Sequence, residues 1–360
     1  ILGLYYSDGL LETVVVGFGG KNLNNAMLDI VDTAIKLLTS SLLNCSRDDV
    51  VPSSKEFLTH LTPPYVIAII VSTLVCLTTL ALGAVHYSYI FIYVTHPYRR
   101  AFVLYLAGTA PFVSSFALVA MYMPRIWFLA HLLSFFYFSI SLYFVICLLM
   151  QLVEGRQSMV KKMHQKSSRL NVQTPPFCCV FPCLPTLQVE TKKIKILEFM
   201  VMQNPCVRLF ATIVSLILYF EYNTGSFLAL KVLDFISLPS LLFGIYGCHI
   251  LVTTVSKLDE LIPYRYIVVF RLLDIYFMFF GLQQPVFDFI ARAGVFGCGT
   301  LLPPLDTAFF WKNFATILES FFVSVFSTAL LKPSRSALFD KYPSTGTCSV
   351  ASMSTHESSA

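Results

Sequence analysis

His86, His131, Arg271, Asp274 and Glu319 lie inside otherwise apolar runs of this chain. A charge in hydrocarbon is costly, so each of these asks for a partner or a wet cavity. Arg271 and Asp274 are three residues apart, hence neighbours on one helix face. A local ion pair would lower the cost of inserting both. Alternatively, Arg271 offers a fixed positive charge to an anionic substrate while Glu319, near the middle of the last apolar stretch, shapes the other side of a cavity. Gln283-Gln284-Pro285 combines amide donors with a residue that frees a backbone carbonyl, which suits a polar path and equally a helix kink held by its neighbours. Arg271, Gln283, Gln284 and Glu319 are the expected substrate-binding residues.

Cys178, Cys179 and Cys183 form a second cluster, between prolines and lysines. Zinc takes four ligands, commonly as two C-x2-C pairs, and here only the distant His164 could complete the set. Cysteines beside a membrane with basic neighbours suit S-acylation, each buried methylene adding about 0.8 kcal/mol of membrane affinity. Plain loop cysteines are the third reading. Cys45 and Cys298 fall in regions where an oxidised pair could persist, which makes them the candidate disulfide. Asn44-Cys45-Ser46 is a glycosylation sequon at Asn44.

The sequence contains no phosphate-cradling glycine loop, no C-x-x-C and no H-E-x-x-H, so neither an ATP-driven pump nor a zinc hydrolase is indicated. No cofactor and no metal is expected. Retinal would need a lysine within the last span, whereas Lys312 lies at its outer edge. An enzyme is disfavoured because no nucleophile, metal set or acid/base pair converges.

The elements that must position these residues follow from composition. Of 360 residues, 56% are hydrophobic and 12% charged, too little polar surface to solvate a globule of this size. Lipid is the missing solvent. Crossing a hydrocarbon layer of about 30 Å takes roughly 20 apolar helical residues. Seven stretches qualify: Tyr65 to Val94, Ala101 to Met123, Ile126 to Val153, Cys206 to Tyr222, Val232 to Val255, Tyr266 to Ile290 and Phe309 to Leu331. The fourth is short and follows Asn204-Pro205, a break.

The net charge of +5 does not indicate nucleic acid, because the basic residues are spread over loops and not gathered on a soluble domain. Loops 95–100, 154–205 and 256–265 hold twelve Lys and Arg, against three in the opposite short loops (Arg125, Lys231, Arg292). The positive-inside rule makes the first set cytosolic. The expected fold is therefore all-α, seven transmembrane helices with the N-terminus extracellular and the C-terminus cytosolic. The sequon at Asn44 agrees.

Residues 1–64 are an extracellular segment in this reading, with no basic region ahead of an apolar run in Ile1 to Gly20 and hence no signal peptide. Ala26, Ile30, Ala34, Leu37 and Leu38 approach helical spacing, and Thr62-Pro63-Pro64 breaks the chain before the first span. Residues 65–331 form the transmembrane domain, with the cysteine-rich loop at 154–205. The tail, 332–360, is Ser/Thr-rich from Ser334 on and expected to be disordered.

With spans and loops in place, the sequence resembles the organic solute transporter alpha subunit, a branch of the wider family that includes the transmembrane-184 proteins. The resemblance runs from about 65 to 331. It rests on Ala110-Pro111 and Met123-Pro124-Arg125, on Val153-Glu154-Gly155, and on Cys178-Cys179 with Cys183 ahead of Lys192-Lys193. Leu282-Gln283-Gln284-Pro285, Cys298 before a double proline, and Ile317-Leu318-Glu319-Ser320-Phe321 continue it. It implies a facilitative carrier for amphipathic organic anions, such as bile acids and conjugated steroids. Such a carrier works with a single-span beta subunit at the plasma membrane, with endoplasmic reticulum or endosomal membranes and a higher oligomer left open. It also implies acylation at Cys178, Cys179 and Cys183, although this chain has fewer cysteines there than the family pattern.

Two other classes compete. A seven-helix receptor shares the topology, but the end of the third span reads Glu154-Gly155-Arg156 and not an acidic-Arg-aromatic triplet. A trafficking or scaffold protein without transport of its own is the other.

Overall fold

Proline opens three of the long helices, at the position where its missing N–H would have had no partner anyway. These are α2 (Pro63–Tyr93), α3 (Pro97–Ala107) and α10 (Pro304–Leu330) of the computed structural model. The structure describes residues 51–165, 169–174, 187–222, 227–256, 258–297 and 301–342. Ahead of α2, α1 (Ser54–Thr59) is capped by Ser53, whose Oγ accepts from the Glu56 N–H at 3.3 Å.

The remaining helices are α4 (Thr109–Tyr122), α5 (Trp127–Leu152), α6 (Arg156–Gln165), α7 (Thr191–Tyr222), α8 (Phe227–Val255) and α9 (Tyr266–Arg292). Among the described residues, seven segments are long and apolar enough to cross a membrane: Pro63–Tyr93, Pro97–Tyr122, Pro124–Leu152, Thr191–Tyr222, Val232–Val255, Tyr266–Arg292 and Pro304–Leu330. The seven expected spans are thus present, with two differences in extent.

The fourth span does not begin after Pro205. α7 starts at Thr191 and carries Pro205 in its interior. Its first half is amphipathic: Ile194, Leu197 and Val201 are buried on one face, while Ile196 and Phe199 are exposed. The lysines that made this stretch look like loop lie along the same helix, with Lys193 paired to Glu190 at 3.0 Å. The second span starts at Pro97 and is interrupted at Gly108, where α3 passes into α4.

The loop expected over 154–205 is also partly ordered. Glu154 and Gly155 take left-handed backbone at φ 64° and 97°, and the Gly155 N–H reaches back to the Met150 carbonyl at 2.8 Å. That turn ends α5 and launches α6, whose Met159 and Met163 are fully buried. Arg156 is tied to Glu198 of α7, a contact that raises its already high pKa, and Lys162 meets Glu260 at 2.6 Å. A two-residue antiparallel pair, β1 (Arg169–Leu170) with β2 (Leu187–Gln188), brackets the cysteine-rich stretch. Asn44, Cys45, Cys178, Cys179, Cys183 and Cys298 lie outside the described residues.

The chain divides into two compact bodies. The smaller comprises the described residues among Leu282–Lys312, with Val51 and Pro52; within it Arg292 and Asp288 pair one turn apart at 3.0 Å. The larger comprises the described residues among Ser53–Gly281 and those from Asn313 to Tyr342. Aromatic rings join α5 to α9 within its core. Phe138 of α5 meets Tyr276 and Phe280 of α9 at centroid distances of 4.9 and 5.1 Å.

Close approach of backbones fixes two helix seams in the larger body. A Cβ at Gly247 of α8 would lie 3.1 Å from the Leu197 carbonyl oxygen, and one at Gly244 would lie 3.0 Å from the Asn204 Cβ. A Cβ at Gly83 of α2 would stand 2.6 Å from Cγ of Pro111 on α4, a rigid ring that cannot rotate away. Gly83→Ala should therefore force α2 and α4 apart and destabilise the purified protein by about 2 kcal/mol, the usual cost of overpacking a core. Thermal melts in detergent would check this; an unchanged midpoint would mean that the seam is looser than described.

Candidate solute cavity

Helices packed along one another in lipid leave space where small residues or a helix break keep side chains apart. Such a cavity, partly open to the outside, lies within the larger body. α2 contributes Gly83, His86 and Ile90, and the α3/α4 break contributes Ala107, Thr109 and Ala110. α9 and α10 supply the opposite wall, including Leu273, Tyr276 and Ser324. The C-terminal segment closes it with Leu338 and Phe339.

The wall is mainly apolar, with hydroxyls and one imidazole set into it. Tyr276 is fully buried and shares a 2.6 Å hydrogen bond with Ser320. Thr109 bonds Ser141 of α5 at 3.2 Å, beneath a stack of Tyr105 on Tyr137 with ring centroids 4.3 Å apart. The Tyr137 hydroxyl donates to the Tyr105 carbonyl at 2.8 Å, just before the break at Gly108. A side chain at Gly108 would collide with the hydroxyls of Tyr87 and Tyr137, so glycine is what lets the tyrosines close over the break. Such a surface accepts a rigid apolar body and offers it scattered hydrogen bonds. Among the described residues, no Lys, Arg, Asp or Glu lines it.

The residues expected to bind substrate are placed as follows. Arg271 and Asp274 do pair, at 3.7 Å, as their spacing suggests. The Arg271 side chain is 54% exposed and shares its helix face with exposed Ile275, Met278 and Phe279, whereas Val269, Leu272 and Leu273 turn to the cavity. Glu319 is half-buried next to Ser320, the partner of Tyr276, and is not among the cavity residues. Gln283 and Gln284 belong to the smaller body, and Gln284 Oε1 is buried without a hydrogen-bond partner among the described residues. His86 lines the cavity; His131 instead packs between Phe135 and Phe280, at 4.8 and 5.7 Å from their ring centroids.

Three intramembrane ionisable groups completing these networks were not singled out from the sequence. His249 of α8 meets Asp274 at 3.1 Å through Nε2, which makes the Arg271–Asp274 pair a three-residue cluster across two helices. Arg208 of α7 lies over the Phe135 ring at 4.4 Å and meets Asp234 and Ser237 of α8, each at 3.4 Å. Applying the cost of a charge in lipid to every ionisable residue of the spans would have flagged all three. Their pairing could not be read, because it crosses helices. No group of three or more His, Cys, Asp or Glu able to hold a metal occurs among the described residues.

The His249–Asp274–Arg271 cluster predicts an asymmetry. Asp274→Leu leaves a buried imidazole and a guanidinium without their shared acceptor and should cost about 3 kcal/mol in thermal or denaturant stability. Asp274→Asn, which can still accept from His249, should cost about half as much. Equal losses would mean that the carboxylate charge carries the whole contribution and a neutral acceptor none of it.

Against known proteins, the family described as organic solute transporter Ostalpha matches residues 68–335. Organic solute transporter alpha-like protein 2 of Caenorhabditis elegans is 59% identical over 314 residues, 87% of this chain and 92% of the relative. Alpha-like protein 3 of the same organism is 31% identical over 85% of this chain and 88% of its own length. Organic solute transporter subunit alpha of Danio rerio is 26% identical over 139 residues, 38% of this chain and 41% of the relative. No solved structure matches.

Proposed function

We propose a transport role from one established premise: the chain belongs to the organic solute transporter Ostalpha family. It is a multi-pass membrane protein of that family, and its relatives are named as transporters and not as enzymes. Our reading is that it is the larger subunit of a facilitative carrier for amphipathic organic anions, bile acids and conjugated steroids among them. The name "subunit alpha" of the Danio rerio relative supports a partner chain, which we take to be a single-span beta subunit.

The observation that carries the reading is the cavity. An apolar wall bearing the hydroxyls of Thr109, Tyr276 and Ser324 and the imidazole of His86 suits a steroid nucleus better than a strongly hydrated solute. The imbalance of basic loops supports a cytosolic side for loops 95–100, 154–205 and 256–265, and an extracellular N-terminus. Plasma-membrane residence, glycosylation at Asn44, acylation at Cys178, Cys179 and Cys183, and a Cys45–Cys298 disulfide belong to the same proposal. Arg271, Gln283, Gln284 and Glu319 stand in it as a second candidate lining, separate from the cavity.

Expressed together with a single-span partner, the chain should carry a labelled steroid sulfate in either direction down its gradient, without an imposed ion gradient. Ser327→Phe, which fills the cavity between α2 and α10, should lower that flux about tenfold at equal surface expression, while Arg271→Ala tests the separate lining. Full surface delivery with no flux of any such anion would refute the carrier reading and favour a scaffold role.

A further inference from the structure

The stretch from Ser334 on, expected to be a disordered tail, is packed as far as Tyr342. The Ser336 hydroxyl donates to the Tyr264 carbonyl at 3.0 Å, the Ala337 N–H to that of Pro263 at 3.0 Å, and the Lys341 N–H to that of Tyr93 at 3.1 Å. Leu338 and Phe339, both buried, form part of the cavity wall. One residue further, Asp340 turns its carboxylate to the start of α3. It accepts from the Thr95 N–H at 3.3 Å and from the Thr95 hydroxyl, and it meets Nη1 of Arg99 at 3.4 Å.

Two features mark this contact as more than a tie. The cavity has no cation in its own wall, so the charged end of an amphipathic anion held there must be met at its rim. Arg99 precedes Val103 of the wall by one turn of α3 and meets Asp340, which follows Phe339 of the wall; its side chain is 17% exposed, and its Nε is buried with no hydrogen-bond partner among the described residues. A guanidinium offers its Nε and Nη donors as a fork matched to two oxygens of one oxyanion, and Asp340 engages only Nη1, at a long distance. The segment Leu338-Phe339-Asp340 itself has the form of an amphipathic anion: two apolar groups against the cavity and, next in sequence, a carboxylate on Arg99.

We propose that Thr95 and Arg99 form a subsite for the carboxylate or sulfate of an amphipathic anion at the rim of the cavity, and that Asp340 occupies it in the unliganded chain as an internal competitor. The subsite rests on the carrier reading above and adds the residues that select for charge. The oxyanion of the substrate displaces the Asp340 carboxylate from Arg99, while Leu338 and Phe339 remain part of the cavity wall. Arg99 Nε is then engaged for the first time. Arg265, which donates to the Leu330 carbonyl at 2.9 Å, holds the start of the strap and stays in place.

The test compares equilibrium binding of pregnenolone sulfate and of pregnenolone, the same steroid without the charge, to the full chain purified with its partner. Asp340→Asn should tighten the sulfate about tenfold and leave pregnenolone within about twofold, since a competing charge is removed. Arg99→Gln should weaken the sulfate at least about tenfold with pregnenolone again unchanged, Arg99→Lys should fall between, and Asp340→Asn added to Arg99→Gln should restore nothing. Pregnenolone binding serves as the control for folding. Sulfate binding unaffected by both substitutions would overturn the subsite and spare the carrier reading. Equal loss of both ligands in Arg99→Gln and Arg99→Lys would reduce Arg99 to a structural role and overturn it too. Failure of wild type and all variants to bind either steroid would remove the carrier reading and the subsite together.

Discussion

In a hydrocarbon layer the backbone cannot turn to water, so each peptide group must be paired within its own helix or by a side chain close by. Departures from helix are therefore confined to a few places, and polar side chains gather around them. At the α3/α4 break Tyr137 donates to the Tyr105 carbonyl and Thr109 meets Ser141. Tyr266 reaches the Val145 carbonyl of α5 at 3.0 Å, near the end where α5 passes to the left-handed turn at Glu154 and Gly155. The break that needs these hydroxyls is also what opens room beside α2, so the cavity and its polar fittings have one origin.

The charged groups follow the same logic. Arg208 is met by Asp234, Ser237 and the face of Phe135, and Asp274 is shared between His249 and Arg271. Both clusters bridge neighbouring helices of the larger body, which makes them fasteners whose removal is felt as stability. The cavity, in contrast, has hydroxyls and an imidazole but no permanent charge in its wall. In the proposed carrier role, selectivity for an anion has to come from its edge.

How far the sequence discloses this differs by feature. The spans are legible because an apolar helix of sufficient length is a local property, and Pro63, Pro97 and Pro304 mark where helices begin. The start of α7 is not, since Lys192, Lys193 and Lys195 mask an amphipathic pattern that shows only once Ile194, Leu197 and Val201 have a neighbour to face. Of the site, the Arg271–Asp274 contact could be read because it is three residues apart on one helix; His249 could not, being 25 residues away on another. The ordering of Leu338 and Phe339 escaped for a related reason. A segment rich in serine looks unstructured until a groove exists for its two large apolar side chains.

The glycines at 244 and 247 let α7 and α8 approach so closely that a Cβ at 247 would stand 3.1 Å from the Leu197 carbonyl oxygen and one at 244 would stand 3.0 Å from the Asn204 Cβ. Surfaces meshed this closely do not slide, because any shear drives backbone into backbone before a new set of contacts is reached. α7 and α8 are therefore the stator of any carrier cycle, and relative motion must be found among the helices that surround the cavity.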